Sequence, residues 1–206
     1  MNRSHTIALA GLLALLATGP AGASPVAKTE QIVLAGGCFW GMEAVFGRLR
    51  GVLNVIPGYT GGNAATAHYE LVSTGMTGHA ESVEITFDPS VITLRQLLDV
   101  DFTVAMDPTE KDYQGPDHGS QYRSAIFYEN PAQAAVAEAT IADYARRHVF
   151  AAPIVTQTVP LQKFFPAEAY HRNYVALHPD NPYVAQEDLP KLALLLQRYP
   201  KLVAAR

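Results

Sequence analysis

Apolar positions along the chain fall into short runs broken by glycine and proline, and the period of each run predicts its element. Residues 31–35, Gln-Ile-Val-Leu-Ala, form an apolar run of strand length with a buried character, and residues 42–46, Met-Glu-Ala-Val-Phe, open a helix. Residues 51–59 predict a strand that ends in the turn Thr60-Gly61-Gly62. A second alternating stretch, 80–87, places Val83, Ile85 and Phe87 on one face and stops at Asp88-Pro89. Thr93 is positioned to cap a helix through Leu94, Leu97, Leu98 and Val100. Beyond it come a strand over 122–128 stopped by Asn130-Pro131, an alanine-rich helix over 132–147 and a strand over 154–159. A short helical stretch near 166–174 and an amphipathic helix over 189–199, ended by Pro200, complete the pattern. Strands and helices interleave with connections of unequal length, which favours an α+β two-layer sandwich over a doubly wound parallel sheet.

The first residues change the picture of where the protein works. A short polar start carrying Arg3, an apolar run over 7–17 and Ala21-Gly22-Ala23 before Ser24 have the layout of a secretory signal peptide. The apolar run is well short of the ~20 residues a membrane span needs, so no stable membrane insertion is expected. Cleavage after Ala23 is expected, leaving 24–206 as one catalytic domain in the periplasm or outside the cell. The formal net charge is -4, and loss of Arg3 makes it more negative. Such a surface argues against a general nucleic-acid binder, and Arg48, Arg50 and Arg146-Arg147 are too sparse for a basic patch. A chain with one cysteine cannot rest on an internal disulfide framework, and an unpaired thiol kept in an oxidising compartment hints at use.

That cysteine lies in Gly37-Cys38-Phe39-Trp40-Gly41, which also holds the only tryptophan. The pentapeptide sits between the first strand and the first helix, where Gly36 and Gly37 permit a sharp turn and free N–H groups of the new helix favour a thiolate. Phe39 and Trp40 are placed to wall the sulfur with aromatic surface. A small buried core cysteine beside a core tryptophan fits the same local sequence.

Three further stretches carry candidate chemistry. In His68-Tyr69-Glu70 and Thr77-Gly78-His79-Ala80-Glu81, Glu81 falls at the start of an apolar strand, where burial raises a carboxyl pKa and keeps an acid protonated. His79-Ala80-Glu81 matches half of a zinc deaminase signature, but the P-C-x-x-C half has no counterpart, and no histidine pair has the H-E-x-x-H relation, so no metal is expected. Gln114 to Ser124 is a polar, glycine-bearing loop offering Asp117 and Tyr122. Lys163 to Tyr174 is rich in aromatics, with Pro166, Glu168 and Tyr170-His171 consistent with a short helix.

Taken in order, Gly37 to Gly41, Gly58-Tyr59-Thr60-Gly61-Gly62, Thr77 to Glu81, Asp107-Pro108-Thr109, Asp117 with Gly119 to Ser124, and Pro166-Ala167-Glu168 with Tyr170-His171 resemble the motifs of the A-type peptide methionine sulfoxide reductases. The resemblance runs over about 29–183. It implies a mixed, largely antiparallel sheet of ferredoxin-like type and reduction of methionine sulfoxide, free or in proteins, with preference for the S epimer. It implies Cys38 as nucleophile, Glu81 as acid, and Tyr69 and Tyr122 as partners of the sulfoxide oxygen. Phe39 and Trp40 would surround the S-methyl group, with Asp117 and His171 near the substrate backbone. No cofactor is implied; electrons would come from a thioredoxin-like or other external thiol, and a monomer is expected. Many members carry resolving cysteines near Asn181-Pro182-Tyr183, but this chain continues Val184-Ala185-Gln186, so no internal disulfide relay can form. Met106 stands where the family commonly has histidine before Asp-Pro, which predicts a local packing change. Two competing classes remain: a protein that senses or binds oxidised methionine without efficient turnover, and a cysteine hydrolase pairing Cys38 with a histidine such as His171.

Overall fold

The structure is a computed structural model describing residues 28–204; the expected leader over 1–23 lies outside them. In chain order the elements are β1 (Glu30–Ala35), α1 (Phe39–Phe46), β2 (Val52–Thr60), α2 (Tyr69–Val72), β3 (Ala80–Phe87), α3 (Leu94–Val100), β4 (Tyr113–Gln114) and β5 (Asp117–His118). They continue with β6 (Ala125–Tyr128), α4 (Pro131–Arg146), β7 (Gln157–Pro160), β8 (Phe164–Pro166), α5 (Tyr174–Leu177) and α6 (Leu189–Arg198). Six strands form one sheet in the order β7-β6-β1-β3-β2-β8, and β4 and β5 pair separately as a small antiparallel ribbon. Only β6 and β7 run parallel; the other neighbours in the large sheet are antiparallel. The fold is thus α+β, as the pattern of elements predicts, and its sheet is mixed and mostly antiparallel, as the family resemblance implies.

The burial of β1 explains why its run is apolar without alternation. Ile32 and Leu34 join the main core with Phe39, Phe46, Leu97 and Leu98, where the helices cover the sheet. Val33 and Ala35 point the other way, into a smaller cluster with Ala80, Ala125 and Phe127 that Val159, Leu161 and Phe164 cover. A strand buried on both faces has no position for a polar residue. The helices start where their caps dictate. Thr93 and Gln96 form a reciprocal capping box, with Gln96 N–H donating to Thr93 Oγ1 at 3.2 Å and Thr93 N–H to Gln96 Oε1 at 2.9 Å. Asn130 caps α4 through Gln133 N–H at 3.1 Å, with Pro131 in the first turn.

Several elements differ from the sequence expectation; the strand expected over 154–159, for one, is confined to Gln157–Pro160. The strand predicted from 122 begins at Ala125, because Gly119, at φ 128°, turns the chain into a 3-10 segment, Ser120–Tyr122. The helical stretch expected near 166–174 starts instead as β8, which pairs with β2 at the sheet edge; Pro166 lacks an N–H and suits an edge. Helical turns follow only at Ala169–His171 and in α5. Two π-helical segments, Asp101–Ala105 and Val184–Asp188, lie outside the sequence expectation, since a single turn closed by i→i+5 hydrogen bonds is too short to show a hydrophobic period of its own.

Candidate active site

Cys38 is the N-cap of α1, reached through the sharp turn at Gly36 and Gly37. Gly37 has φ 91°, and a Cβ there would lie 2.8 Å from the Gln114 Cβ, so both backbone angle and space require glycine. Its N–H donates to the Tyr122 carbonyl at 3.2 Å, tying the nucleophile's turn to the loop that carries Tyr122. On the other side Met106 fills the space above Gly36, where a Cβ would come within 2.8 Å of the Met106 Cγ. Met106 is buried there, over the turn that leads to Cys38.

Glu81 lies on β3 beside this turn, 2 % exposed, and its Oε2 accepts the N–H of Phe39 at 3.2 Å. Burial raises its pKa to about 8; the Phe39 N–H works against that shift and the charge of Asp117 adds to it. Glu81 is therefore a protonated acid at neutral pH. Cys38 differs from the thiolate expected at a helix start. Burial pushes the thiol well up, the charges of Glu81, Asp188 and Asp117 push the same way, and the Trp40 N–H at the sulfur opposes them without prevailing. The first turn of a helix offers partial charge, but full desolvation of a thiolate outweighs it. The resting site holds a neutral thiol beside a neutral acid.

These two groups open into a cavity of about 310 Å³. Phe39 and Trp40 line it from α1, Tyr69 from the first residue of α2, Asp117 from β5 and Tyr122 from the 3-10 turn after it. The hydroxyls of Tyr69 and Tyr122 remain protonated donors: burial, followed by the charge of Glu81, raises Tyr69 to about 12 and raises Tyr122 further. Seven of the eight residues expected at the site from sequence thus share one cavity. His171 does not line it. It is 1 % exposed and lies behind Trp40, whose indole N–H donates to His171 Nδ1 at 2.9 Å.

The sequence reading missed Tyr183 and Asp188. Tyr183 lines the cavity and donates its hydroxyl to Asp117 Oδ2 at 2.5 Å. The signal was present in Asn181-Pro182: Asn181 Oδ1 accepts the Tyr183 N–H at 2.9 Å and starts the turn that aims the ring inward. Asp188 is fully buried against Gly41, with neither carboxylate oxygen partnered. Nothing in a Glu-Asp pair before Leu-Pro announces such burial. Among the described residues, no group of three or more His, Cys, Asp or Glu is gathered to hold a metal ion.

An arrangement of one buried thiol, one protonated carboxyl and two phenol donors around a small aromatic-walled cavity suits attack by sulfur on a neutral, oxygen-bearing centre whose oxygen must be protonated to depart. Comparison with known proteins agrees. The family model "Peptide methionine sulfoxide reductase" matches residues 30–201. Peptide methionine sulfoxide reductase MsrA 2 of Mesorhizobium japonicum is 48 % identical over 178 residues, 86 % of this chain and 91 % of the relative. The MsrA of Thermus thermophilus is 48 % identical over 174 residues, 84 % of this chain and 97 % of the relative. Among solved structures, reduced Mxr1 of Saccharomyces cerevisiae superposes with TM-score 0.70 at 32 % identity, covering 77 % of this chain and 90 % of that one. Methionine sulfoxide reductase A of Corynebacterium diphtheriae gives 0.68 at 35 % identity, covering 73 % and 76 %. With nearly the whole described chain matched and the cavity assembled from the motif residues, the protein belongs to the A-type peptide methionine sulfoxide reductases.

Proposed function

We propose that this chain reduces methionine sulfoxide through Cys38 in a one-cysteine cycle. The observation that carries the reading is the Phe39 N–H to Glu81 Oε2 contact, which fixes a protonated carboxyl beside the nucleophile's own helix turn. The Cys38 sulfur attacks the sulfoxide sulfur while Glu81 gives its proton to the sulfoxide oxygen, held by the Tyr69 and Tyr122 hydroxyls. The thiol proton replaces the one Glu81 has given up. The protonated oxygen then passes to the Cys38 sulfur as its bond to the sulfoxide sulfur and the transient sulfur–sulfur bond break. The sulfoxide sulfur thus gains two electrons and leaves as the thioether of methionine, while Cys38 loses two and holds the hydroxyl as sulfenic acid. Phe39 and Trp40 enclose the S-methyl group and set preference for the S epimer, in proteins and in the free amino acid. Asp117, held by Tyr183, faces the substrate backbone.

With Cys38 the sole cysteine, the sulfenic acid has no internal partner. One external thiol displaces its hydroxyl as water and forms a mixed disulfide, and a second releases Cys38 with a disulfide as product. A thioredoxin-like protein or another exported thiol supplies both. The leader over 1–23 supports action in the periplasm or outside the cell after cleavage at Ala23, and the domain works as a monomer. No helix of the described residues is long and apolar enough to cross a membrane.

A single-turnover assay without added thiol tests the reading. About one equivalent of methionine from the S epimer is expected per protein, with sulfenic acid trapped at Cys38 and Cys38→Ser inert. A folded protein with a free thiol that releases no methionine from either epimer would point instead to a sensor or binder of oxidised methionine.

A further inference from the structure

Of the chain's four methionines, Met1 lies in the expected leader, and Met42 and Met106 are buried, at 0 % and 8 % exposure. Met76 is 85 % exposed, more than any other large apolar side chain among the described residues. Burial shields a thioether from oxidants, and full exposure opens it to them.

The turn between α2 and β3 presents this side chain alone. The Thr74 hydroxyl donates to the Leu71 carbonyl at 2.6 Å and accepts the Met76 N–H at 3.3 Å. The Thr77 hydroxyl accepts the His79 N–H at 3.2 Å. Both threonines near Met76 are therefore turned back onto the chain, and Gly75 and Gly78, at φ 76° and 77°, carry no side chain at all. The turn is also fixed from outside. Ser120 Oγ donates to the Gly75 carbonyl at 3.0 Å, and Arg123 Nη2 donates to the Gly78 carbonyl at 3.0 Å. These two anchors flank Tyr122 in the chain, so the turn is tied to the loop that supplies a cavity wall, yet Met76 does not line the cavity. With its backbone held on either side, Met76 cannot fold over the Cys38 of its own chain without breaking those bonds.

We propose that Met76 is an oxidation site and a substrate of this chain's own activity, its sulfoxide being reduced in the cavity of a second copy. The proposal rests on the reductase reading and names one protein substrate for it. A peroxide supplies the oxygen: its O–O bond breaks, one oxygen bonds to the Met76 sulfur, which loses two electrons, and the other leaves as water. In the second copy Cys38 takes that oxygen as sulfenic acid, and two external thiols restore it with release of water and a disulfide. Met76 returns unchanged, so one round converts one peroxide and two thiols into two waters and one disulfide. The geometry suits this exchange. Cys38 is only 8 % exposed, so a substrate side chain must reach inward past the rim, and the glycines and turned-back threonines beside Met76 leave little bulk to meet that rim. The encounter is transient and needs no stable dimer.

Hydrogen peroxide and dithiothreitol test this on the whole protein. Peroxide-treated Cys38→Ser protein should gain one oxygen on the tryptic peptide 51–95, whose only methionine is Met76, while the peptides holding Met42 and Met106 stay unoxidised. A folded protein that leaves Met76 unoxidised would overturn the inference. The same treatment of Met76→Leu should add no oxygen to 51–95; a gain there would assign the modification to another residue. The oxidised Cys38→Ser protein has no nucleophile of its own, so adding untreated wild type and dithiothreitol reads repair between copies. About half of the Met76 sulfoxide should revert, since peroxide forms both epimers and the S epimer alone is reduced. Wild type oxidised at Met76 and then given dithiothreitol should repair itself roughly tenfold more slowly on roughly tenfold dilution, as a bimolecular encounter requires. A rate independent of dilution would place repair within one molecule and overturn the inference. A blocked methionine S-sulfoxide serves as control. If wild type reduces it but leaves the Met76 sulfoxide intact, this inference fails and the reductase reading stands; if wild type reduces neither, both fail.

Discussion

The Phe39 backbone N–H and the Glu81 carboxylate meet at 3.2 Å, so the residue that follows the nucleophile also holds the acid. The bond lowers the Glu81 pKa, yet burial dominates and leaves it near 8. Nucleophile and acid are thus coupled through one peptide unit, and any shift of the α1 start moves both.

Replacing Glu81 by glutamine should remove the proton source while keeping an acceptor for Phe39. Loss of a positioned general acid predicts a fall of roughly 10²- to 10⁴-fold in single-turnover rate. In the wild type the rate should decline as pH rises through about 8, where Glu81 ionises; the residual rate of the variant should lack that limb. Wild-type stability should fall in the same direction of pH. The folded pKa is raised from 4.5 to about 8, so the stability associated with the bound proton is complete below 4.5 and lost as pH rises through about 8. Glutamine carries no such penalty. Chemical denaturation at pH 4 and pH 8 should show Glu81→Gln gaining on the order of 2–4 kcal/mol relative to wild type between the two. An equal difference at both pH values would mean that Glu81 is not held neutral.

Gly37→Ala tests the turn. The added methyl would sit 2.8 Å from the Gln114 Cβ at a φ of 91° that a side chain rarely adopts. Backbone strain of about 1–3 kcal/mol should appear as a lower melting temperature. Cys38 is the next residue, so displacement of its sulfur should cost activity beyond the stability loss, by roughly 10²-fold. A variant melting like wild type would show that the turn relaxes freely.

Much of this was legible in the sequence, for reasons that individual residues make clear. The strand at Ala80–Phe87 was recovered with its bounds because Val83, Ile85 and Phe87 alternate and Asp88-Pro89 stops them. Thr93 is legible as a cap because it directly precedes the helical run of Leu94, Leu97, Leu98 and Val100; the reciprocal bond from Gln96 is a detail that only the structure adds. Cys38, Glu81, Tyr69, Tyr122 and Asp117 converge on one cavity from four separate stretches. Local pattern places each residue on its element, but the convergence itself was expected only through the family resemblance. What remained hidden depends on tertiary burial. The protonation state of Cys38 follows from desolvation, which no local motif reports, and the orphaned Asp188 from the docking of the C-terminal segment on α1. His171 was read as a ligand-facing residue because its motif is shared; only its burial behind Trp40 separates holding a wall from forming one.

Tyr183→Phe isolates the bond to Asp117. Its phenol is the only side-chain donor shown to reach that carboxylate among the described residues, at 2.5 Å. Without it Asp117 keeps its place on β5 but loses its fixed rotamer. If Asp117 meets the substrate backbone, the loss should appear chiefly as a rise in KM of roughly 10-fold, the worth of one hydrogen bond to a charged group at the low end. It should be larger for a peptide substrate than for one with a truncated backbone. Equal effects on both substrates would detach Asp117 from backbone recognition.

Asp188→Asn addresses why the Cys38 thiol is held so high. Burial is the largest cause, with the charges of Glu81 and then Asp188 behind it. Asp188 has a pKa of about 6, raised by burial and by the charges of Asp117 and Glu187 and lowered by Lys191. Above that pH it is an anion pressed against Gly41, on the turn that Cys38 caps; a Cβ on Gly41 would come within 2.3 Å of its Oδ1. Asparagine fills the same space without charge, so the thiolate should become easier to form. Alkylation of Cys38 by iodoacetamide at pH 8 should then speed up by roughly 2- to 5-fold, with the rate–pH curve displaced to lower pH. Below pH 6, where wild-type Asp188 is itself neutral, the two proteins should react alike. That convergence separates a charge effect from simple loosening, which would accelerate alkylation at every pH. Identical curves throughout would assign the raised thiol to burial and the charges of Glu81 and Asp117, leaving the buried Asp188 carboxyl without influence on the nucleophile.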